Sequence, residues 1–197
     1  MNGTRVTSED KSVISTYIGL IVATMLIVGA IYFFFFARTK MAEVTGFDPN
    51  RPVPSDALLH KRLKPNQYHV TRENGTETAF QNDYWNNERV GIYVDVITGE
   101  PLFASIDKYD AGNGRPTFRK PISKDALVEK LDKSFDMERT EVRARRSDAH
   151  LGHVFPDSTS PTGQRYAINS AAVRFIPREA MSEEGYSAYR SILDQPK

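Results

Sequence analysis

The chain contains no cysteine among its 197 residues, and it has only one tryptophan and four histidines. Without a thiol it can form no disulfide, no thiolate-bound zinc site and no iron–sulfur cluster. Catalysis by a thiolate nucleophile is excluded for the same reason. Since proteins without cysteine occur in every compartment, this absence does not indicate a redox environment.

The chain also lacks an excess of charge of either sign. Its 26 lysines and arginines balance 25 aspartates and glutamates, for a formal net charge of +1. Such a balance provides no broad basic field for a polynucleotide, so we expect no nucleic-acid partner. The length leaves room for one ordinary domain and a small appendage.

Residues 13–37 contain no charged side chain. At about 1.5 Å per residue this run is long enough to cross a hydrocarbon layer of roughly 30 Å. It predicts a single transmembrane helix that follows an N-terminal tail of residues 1–12. A buried core helix and a cleavable signal peptide are the alternatives. The run is longer than a usual signal-peptide core and is followed by charged residues rather than small ones, which favours an uncleaved anchor.

The flanks of this segment do not decide its orientation, since Arg5 and Lys11 precede it and Arg38 and Lys40 follow it. From the general frequency of N-terminal signal anchors, we expect a single-pass membrane protein whose main domain is extracytoplasmic. Residues 38–60 include three prolines and several turn formers, which predict an extended linker between anchor and domain.

From residue 61 to residue 178 the pattern predicts one β-rich domain. Short segments of β-branched and aromatic residues alternate there with glycine, proline, asparagine and aspartate. The predicted strands are Gly91–Val96, Leu102–Ser105, Thr140–Arg145, Gly152–Phe155, Arg165–Asn169 and Ala172–Ile176.

Two segments have helical spacing instead. In Ser123–Phe135, large apolar residues recur every fourth position after a possible serine N-cap. Ser182–Leu193 begins with two glutamates and places aromatic and aliphatic residues on one side, which predicts a helix within a C-terminal tail of residues 179–197.

The short stretch H-L-G-H-V-F-P-D contains three side chains that could bind a ligand or transfer a proton: His150, His153 and Asp157. Two imidazoles and a carboxylate are suitable ligands for zinc, iron or copper. On a regular strand, however, residues three apart point to opposite faces, so a metal site would need a bend, which Gly152 could provide. A third interpretation makes a histidine a structural hydrogen-bonding group.

This stretch and the following R-Y-A-I-N resemble the signature of the B-type methionine sulfoxide reductases (MsrB, SelR domain), and the resemblance extends over Leu63–Pro177. It implies a mainly β fold of two antiparallel sheets with peripheral helices. It also implies the reduction of methionine-R-sulfoxide in proteins. In that family the position of Ala167 holds the nucleophilic cysteine or selenocysteine.

The resemblance implies further roles for nearby residues. Three of them would line the active site, hold water and stabilise or protonate the leaving oxygen: His150, His153 and Asp157. Arg165 matches an arginine that stabilises the thiolate, and Asn169 matches an asparagine of the same pocket. On a strand, positions 165, 167 and 169 share one face.

At the second family motif, this chain differs more strongly from the family pattern. Active relatives commonly read G-C-G-W-P-S-F where this chain reads G-N-G-R-P-T-F. Asn113 therefore stands at the position of the resolving cysteine, and Arg115 replaces the tryptophan that packs on the substrate's methyl group. The two C-x-x-C pairs that bind structural zinc in some members match Asp95 and Thr98, and Ala144 and Ser147. We expect no structural zinc and no other cofactor.

The sequence thus favours a membrane-anchored MsrB-like pseudoenzyme. A methyl group has no lone pair with which to attack sulfur, so we expect no thiol-based catalysis. The remaining polar pocket would bind a ligand or partner, with oxidised protein or peptide methionine as the candidate. Two alternatives stay open: a peptide-methionine (R)-S-oxide reductase that is functional or inactivated by engineering, and a metal-binding protein that uses His150, His153 and Asp157.

Overall fold

The computed structural model describes residues 20–32 and 46–195. The chain divides into two compact units, Met1–Val44 and Thr45–Lys197. In the first unit, residues 20–32 form helix α1, whose large apolar side chains are exposed. Among the described residues, no helix combines the length and hydropathy that a bilayer crossing requires. The rest of the predicted anchor, and all of the predicted N-terminal tail, lie outside the described residues.

The second unit consists mainly of short strands. Two helices precede them: α2 (Asp56–Arg62) and α3 (Pro65–Arg72). The strands are β1 (Gly91–Asp95), β2 (Pro101–Ala104), β3 (Lys108–Tyr109), β4 (Thr117–Phe118), β5 (Leu127–Asp132), β6 (Arg139–Ala144), β7 (His150–Pro156), β8 (Gln164–Ile168) and β9 (Val173–Pro177).

These strands form two antiparallel sheets, which confirms the predicted fold class. One sheet has the order β2-β1-β9, and the other has the order β3-β4-β8-β7-β6-β5. The main core lies between them, where Phe103 of the first sheet stacks on Phe118 of the second with ring centroids 4.6 Å apart. The family motifs fall on β4, β7 and β8, which are neighbours in the larger sheet.

The six predicted strands agree with the structure within two residues at each end. The helix predicted for Ser123–Phe135 is wrong. Ser123 does cap a turn, because its side chain accepts a hydrogen bond from the amide of Asp125, but this 3-10 turn ends at Ala126. Strand β5 follows and pairs with β6 over six residues. Leu131 and Phe135, which suggested a buried helical face, are both exposed.

The C-terminal segment is helical only in part. Turns occupy residues 178–185, and a 3-10 helix follows at Ser187–Asp194, shorter and later than predicted. Met181, Tyr186 and Leu193 are buried against the outer face of the three-stranded sheet. The segment is therefore part of the domain's second hydrophobic core.

The described part of the predicted linker, residues 46–60, also contacts the domain. Arg146 donates hydrogen bonds to the carbonyl oxygens of Asp48 and Arg51, at 2.9 Å for Asp48. Phe47 packs against the second core, and the guanidinium of Arg146 lies over its ring. Helix α2 then begins at Asp56.

Candidate active site

A bulge in β7 brings the two histidines of the H-L-G-H stretch to one face of the sheet. In the β6–β7 ladder, Glu141 pairs with His153 and Arg143 pairs with His150, so two steps along β6 correspond to three steps along β7. In a regular strand, residues three apart point to opposite faces. One extra residue in the strand brings them to the same face. The imidazole centroids lie 5.5 Å apart in an edge-to-face arrangement.

Gly152 makes this bulge possible. Its φ of 152° is a conformation that side-chain-bearing residues rarely adopt. A β-carbon at this position would also lie 2.1 Å from the carbonyl oxygen of Ala167. The bend expected at Gly152 is therefore present, and it depends on a close approach between β7 and β8.

Each imidazole is paired with a carboxylate. His150 Nδ1 lies 2.6 Å from Glu141 Oε1, and His153 Nε2 lies 2.7 Å from Asp132 Oδ2. Because an ionised carboxylate only accepts hydrogen bonds, these contacts assign a proton to each of those ring nitrogens. Glu141 also accepts from Arg143 Nη1 at 2.6 Å, which fixes the carboxylate between a cation and an imidazole.

The second nitrogen of His150 has no protein partner in the part of the chain that the structure describes. His150 is only 2% exposed, and its ring lines a cavity of about 360 Å³ together with His153. Burial lowers the pKa of His150, and the neighbouring Glu141 opposes that shift. In the neutral ring Nε2 is an acceptor, and protonation turns it into a donor that could meet a ligand oxygen.

Ala167 lies next to this pair, on β8. It is directly opposite His153 of β7 on one side and Thr117 of β4 on the other, and it is 7% exposed. Directly opposite residues of antiparallel strands project to the same face, so the alanine methyl stands beside His153. The amide of Asn113 donates to Thr117 Oγ1 at 3.0 Å, which places the two expected thiol positions on either side of one threonine.

Arg115 ties the loop before β4 to the end of β8. Its guanidinium donates to Asn169 Oδ1 at 2.9 Å and to the carbonyl oxygen of Glu77 at 2.6 Å. The amide nitrogen of Asn169 donates to the carbonyl oxygen of Leu151 at 3.2 Å. Both ends of the Asn169 side chain are thus occupied by protein contacts.

Asp157 lies in a second polar group, at the end of β7. It accepts from Tyr109 Oη at 2.5 Å and from Thr159 Oγ1 at 2.6 Å, and its carboxylate is 3.9 Å from Arg165. These bonds lower the pKa of Asp157 to about 2, so it is ionised at neutral pH. Arg165 also stacks over Phe155, its cross-strand partner, at 5.1 Å from the ring centroid.

Residues 63–177 match the family model described as the SelR domain. The chain belongs to the SelR family of peptide methionine sulfoxide reductases. Over 140 residues it is 50% identical to the peptide methionine sulfoxide reductase MsrA/MsrB of Vibrio cholerae serotype O1. That match covers 71% of this chain and 37% of the relative, so the chain spans little more than a third of the length of that curated relative.

The positions expected from the SelR resemblance fall into three groups. His150 and His153 line the cavity, with Ala167 adjacent to His153 on the sheet. Asp157 and Arg165 form the second group around Tyr109, while Asn169 and Arg115 bind each other. Among the described residues, no three histidine, aspartate or glutamate side chains are placed to hold a metal ion, which leaves the metal interpretation without support.

The expected zinc positions of the SelR domain hold a hydrogen-bonded aspartate. Asp95 is buried and accepts from Thr98 Oγ1 at 2.6 Å, from the amide of Ile97 at 3.1 Å and from the hydroxyl of Ser147. Burial raises the pKa of Asp95, and these donors oppose the shift. The network joins the turn after β1 to the turn between β6 and β7.

Sequence reasoning missed the carboxylates that hold the imidazoles. Glu141 and Arg143 alternate with the buried Val142 on a correctly predicted strand, so their common face could have been inferred. Asp132 could not, because the segment that contains it was assigned to a helix. Tyr109, the partner of Asp157, gave no pattern signal since β3 has only two residues.

Proposed function

We propose that this SelR domain binds methionine-R-sulfoxide in oxidised proteins or peptides without reducing it through a thiol. The observation that carries the proposal is an intact, partnered imidazole pair beside a methyl group at position 167. The family reaction needs a nucleophile that attacks the sulfoxide sulfur, and neither Ala167 nor Asn113 can supply one. What remains can recognise the oxygen but cannot begin the chemistry.

The cavity beside His150 supports ligand binding. A buried nitrogen without a partner is costly, so a ligand that supplies one gains a hydrogen bond that the free protein lacks. The sulfoxide oxygen accepts hydrogen bonds, and the protonated His150 Nε2 would donate to it. Glu141 and Arg143 hold the ring in place for that contact.

We also propose that the chain is anchored in a membrane through residues 13–37, with its SelR domain on the extracytoplasmic side. The uncharged run of 25 positions and the exposed apolar side chains of α1 support an anchor. Binding would then concern oxidised proteins at or near the bilayer surface.

One experiment tests both parts. The full chain is expressed, membranes are washed with alkaline carbonate, and the retained protein is solubilised and incubated with a methionine-R-sulfoxide peptide and dithiothreitol. We expect the chain to stay in the membrane fraction, the peptide to bind, and no methionine to form. Methionine formation above a buffer control, in proportion to the protein added, would contradict the pseudoenzyme proposal. Release by carbonate would contradict the anchor.

A second candidate function is reductase activity with an external reductant. The 50% identity to a relative named as a peptide methionine sulfoxide reductase favours it. The same assay separates the two candidates, because only the second produces methionine.

A further inference from the structure

The turn between β5 and β6 displays large apolar side chains at the rim of the imidazole cavity. Leu131 is 65% exposed and Phe135 is 82% exposed, the highest value among the large apolar side chains that the structure describes. Both residues line the same cavity as His150 and His153. We call residues 131–137 the hairpin tip. An apolar surface that continues into a polar cavity can contact an apolar part of whatever ligand fills that cavity.

The backbone holds Phe135 outward in an unfavourable conformation. Phe135 has φ 56° and ψ 34°, and Asp136 follows with φ 55°. A bulky residue in the left-handed region is uncommon, and two in succession are sustained only when the surrounding structure determines them. Strain of this kind concentrates at ligand-contacting positions.

Hydrogen bonds to Asp132 stabilise this backbone conformation and connect the tip to the imidazoles. Its Oδ1 accepts from the amide of Ser134 at 2.9 Å, and its Oδ2 accepts from Arg139 Nη2 at 2.7 Å and from His153 Nε2 at 2.7 Å. Arg139 also donates to Ser134 Oγ at 3.0 Å. The same carboxylate thus positions the turn that presents Phe135 and the ring of His153.

We propose that Leu131 and Phe135 form a subsite for a large apolar side chain next to the methionine sulfoxide of a polypeptide ligand. This proposal rests on the proposed function, which places the methionine sulfoxide of the ligand in the cavity. The occupant is a peptide rather than a lipid surface, because residues 130–139, the tip with its flanking positions, carry three basic and three acidic side chains. Two of the lysines are paired: Lys133 with Glu138 at 3.0 Å, and Lys130 with Asp148 at 3.1 Å. A bilayer would instead be met by a basic excess around the apolar residues.

Four peptides test the subsite with the solubilised full chain. The central residue is either methionine-R-sulfoxide or methionine, and its two neighbours are either phenylalanine or serine. Affinities are measured by calorimetry for the unchanged chain and for Phe135→Asn and Leu131→Ala. Asparagine tolerates the left-handed conformation, so Phe135→Asn removes the ring without adding backbone strain. Val90→Ala is the matched control, since Val90 is a half-exposed apolar residue that does not line the cavity.

We expect phenylalanine neighbours to raise the affinity of the sulfoxide peptide roughly tenfold over serine neighbours, as partial burial of an aromatic side chain would. Phe135→Asn and Leu131→Ala should reduce that ratio toward one, because the phenylalanine peptide loses more affinity than the serine peptide, whereas Val90→Ala should preserve the ratio. A phenylalanine preference for both oxidised and unoxidised peptides, with no preference for the sulfoxide, would keep the subsite and refute the proposed function.

Three outcomes overturn the subsite. They are equal affinity for phenylalanine and serine peptides, an equal loss of both peptides in Phe135→Asn, and no binding of any of the four. In addition, analytical sedimentation of each variant tests whether a second copy of the chain, rather than a peptide, covers the apolar tip. A change from a larger assembly to a smaller one in Phe135→Asn would assign the tip to contact between copies of the chain instead.

Discussion

Ala167 and Asp95 stand at two positions where the resemblance to the SelR family predicts thiols, the nucleophile and, in some members, a zinc ligand, and their surroundings differ. At the expected zinc position, a buried aspartate gathers the hydroxyls of Thr98 and Ser147 and the amide of Ile97. At the nucleophile position, a methyl group stands between His153 and Thr117 and makes no polar contact. The expected zinc position is the centre of a hydrogen-bond network, and the nucleophile position has a side chain that can form no such contacts.

The difference separates a structural role from a chemical one. A zinc site that joins two turns can be replaced by any group that joins the same turns, and hydrogen bonds to a buried carboxylate do so. A nucleophile has no such substitute, because its function is to form a bond to sulfur. Oxygen and nitrogen donors can therefore maintain the fold of this SelR domain, whereas its family reaction needs sulfur or selenium.

The largest expected effect comes from restoring the missing thiol. In Ala167→Cys, with dithiothreitol as reductant, we expect methionine formation from a methionine-R-sulfoxide peptide to rise by several orders of magnitude. Loss of a nucleophile from a catalytic unit costs about 10⁶ in turnover, so its return beside the imidazole pair should recover a large part. Ala167→Ser is the matched control, with no expected turnover. If the cysteine variant is as inactive as the serine variant, the pocket around position 167 has lost more than its thiol.

A smaller effect is expected at the other site, and on stability rather than activity. Asp95→Ala should lower the free energy of unfolding by roughly 3 kcal/mol, because it leaves buried hydroxyl and amide donors without an acceptor. Urea denaturation followed by circular dichroism measures the change. Asp83→Ala, at an exposed aspartate, should stay within about 0.5 kcal/mol of the unchanged chain. Equal stability of the two variants would show that the Asp95 network does not hold the turns together.

The smallest effect concerns the protonation of His150. Its pKa should lie below 6.5, because burial disfavours the charged ring more than Glu141 favours it. The folded state then prefers the neutral imidazole, so the free energy of unfolding should fall as the pH falls through 6.5. Binding of a sulfoxide oxygen needs the protonated ring and should strengthen over the same range.

Nuclear magnetic resonance titration of the imidazoles, with His150→Gln to assign the signal, measures that pKa directly. The variant should also lose the pH dependence of sulfoxide binding. A His150 midpoint above 6.5 would mean that Glu141 dominates and that the pocket is cationic near neutral pH. The contrast between the two sites would then be greater. His150 would be a charged hydrogen-bond donor in its pocket, whereas Asp95 is the acceptor in the network between the turns.

The sequence was sufficient for six of the nine described strands and for part of the site. Strands β6 to β9 have regular alternation or family motifs, and they lie where the sequence placed them. Leu127, Leu131 and Phe135 misled the helix prediction because their spacing suits a buried helical face, whereas only Leu127 is buried and β6 provides a strand partner. Spacing along a chain contains no information about which neighbour is available for pairing.

The site was predicted in its residue types but not in its connections. His150 and His153 share a face because β7 contains one extra residue, a feature that the alternation rule excludes and that only Gly152 hinted at. Asp157 is held by Tyr109, a partner 48 positions away in the sequence that no motif indicated. Partners from distant strands depend on register, which a single sequence does not specify.

The close approach at Gly152 has an evolutionary consequence. What presses against this glycine is the main-chain oxygen of residue 167, and every amino acid has that oxygen. The spatial relation between the imidazoles and β8 is therefore indifferent to which side chain residue 167 has. A substitution at position 167 can therefore leave this approach of the two strands in place, whatever it does to catalysis.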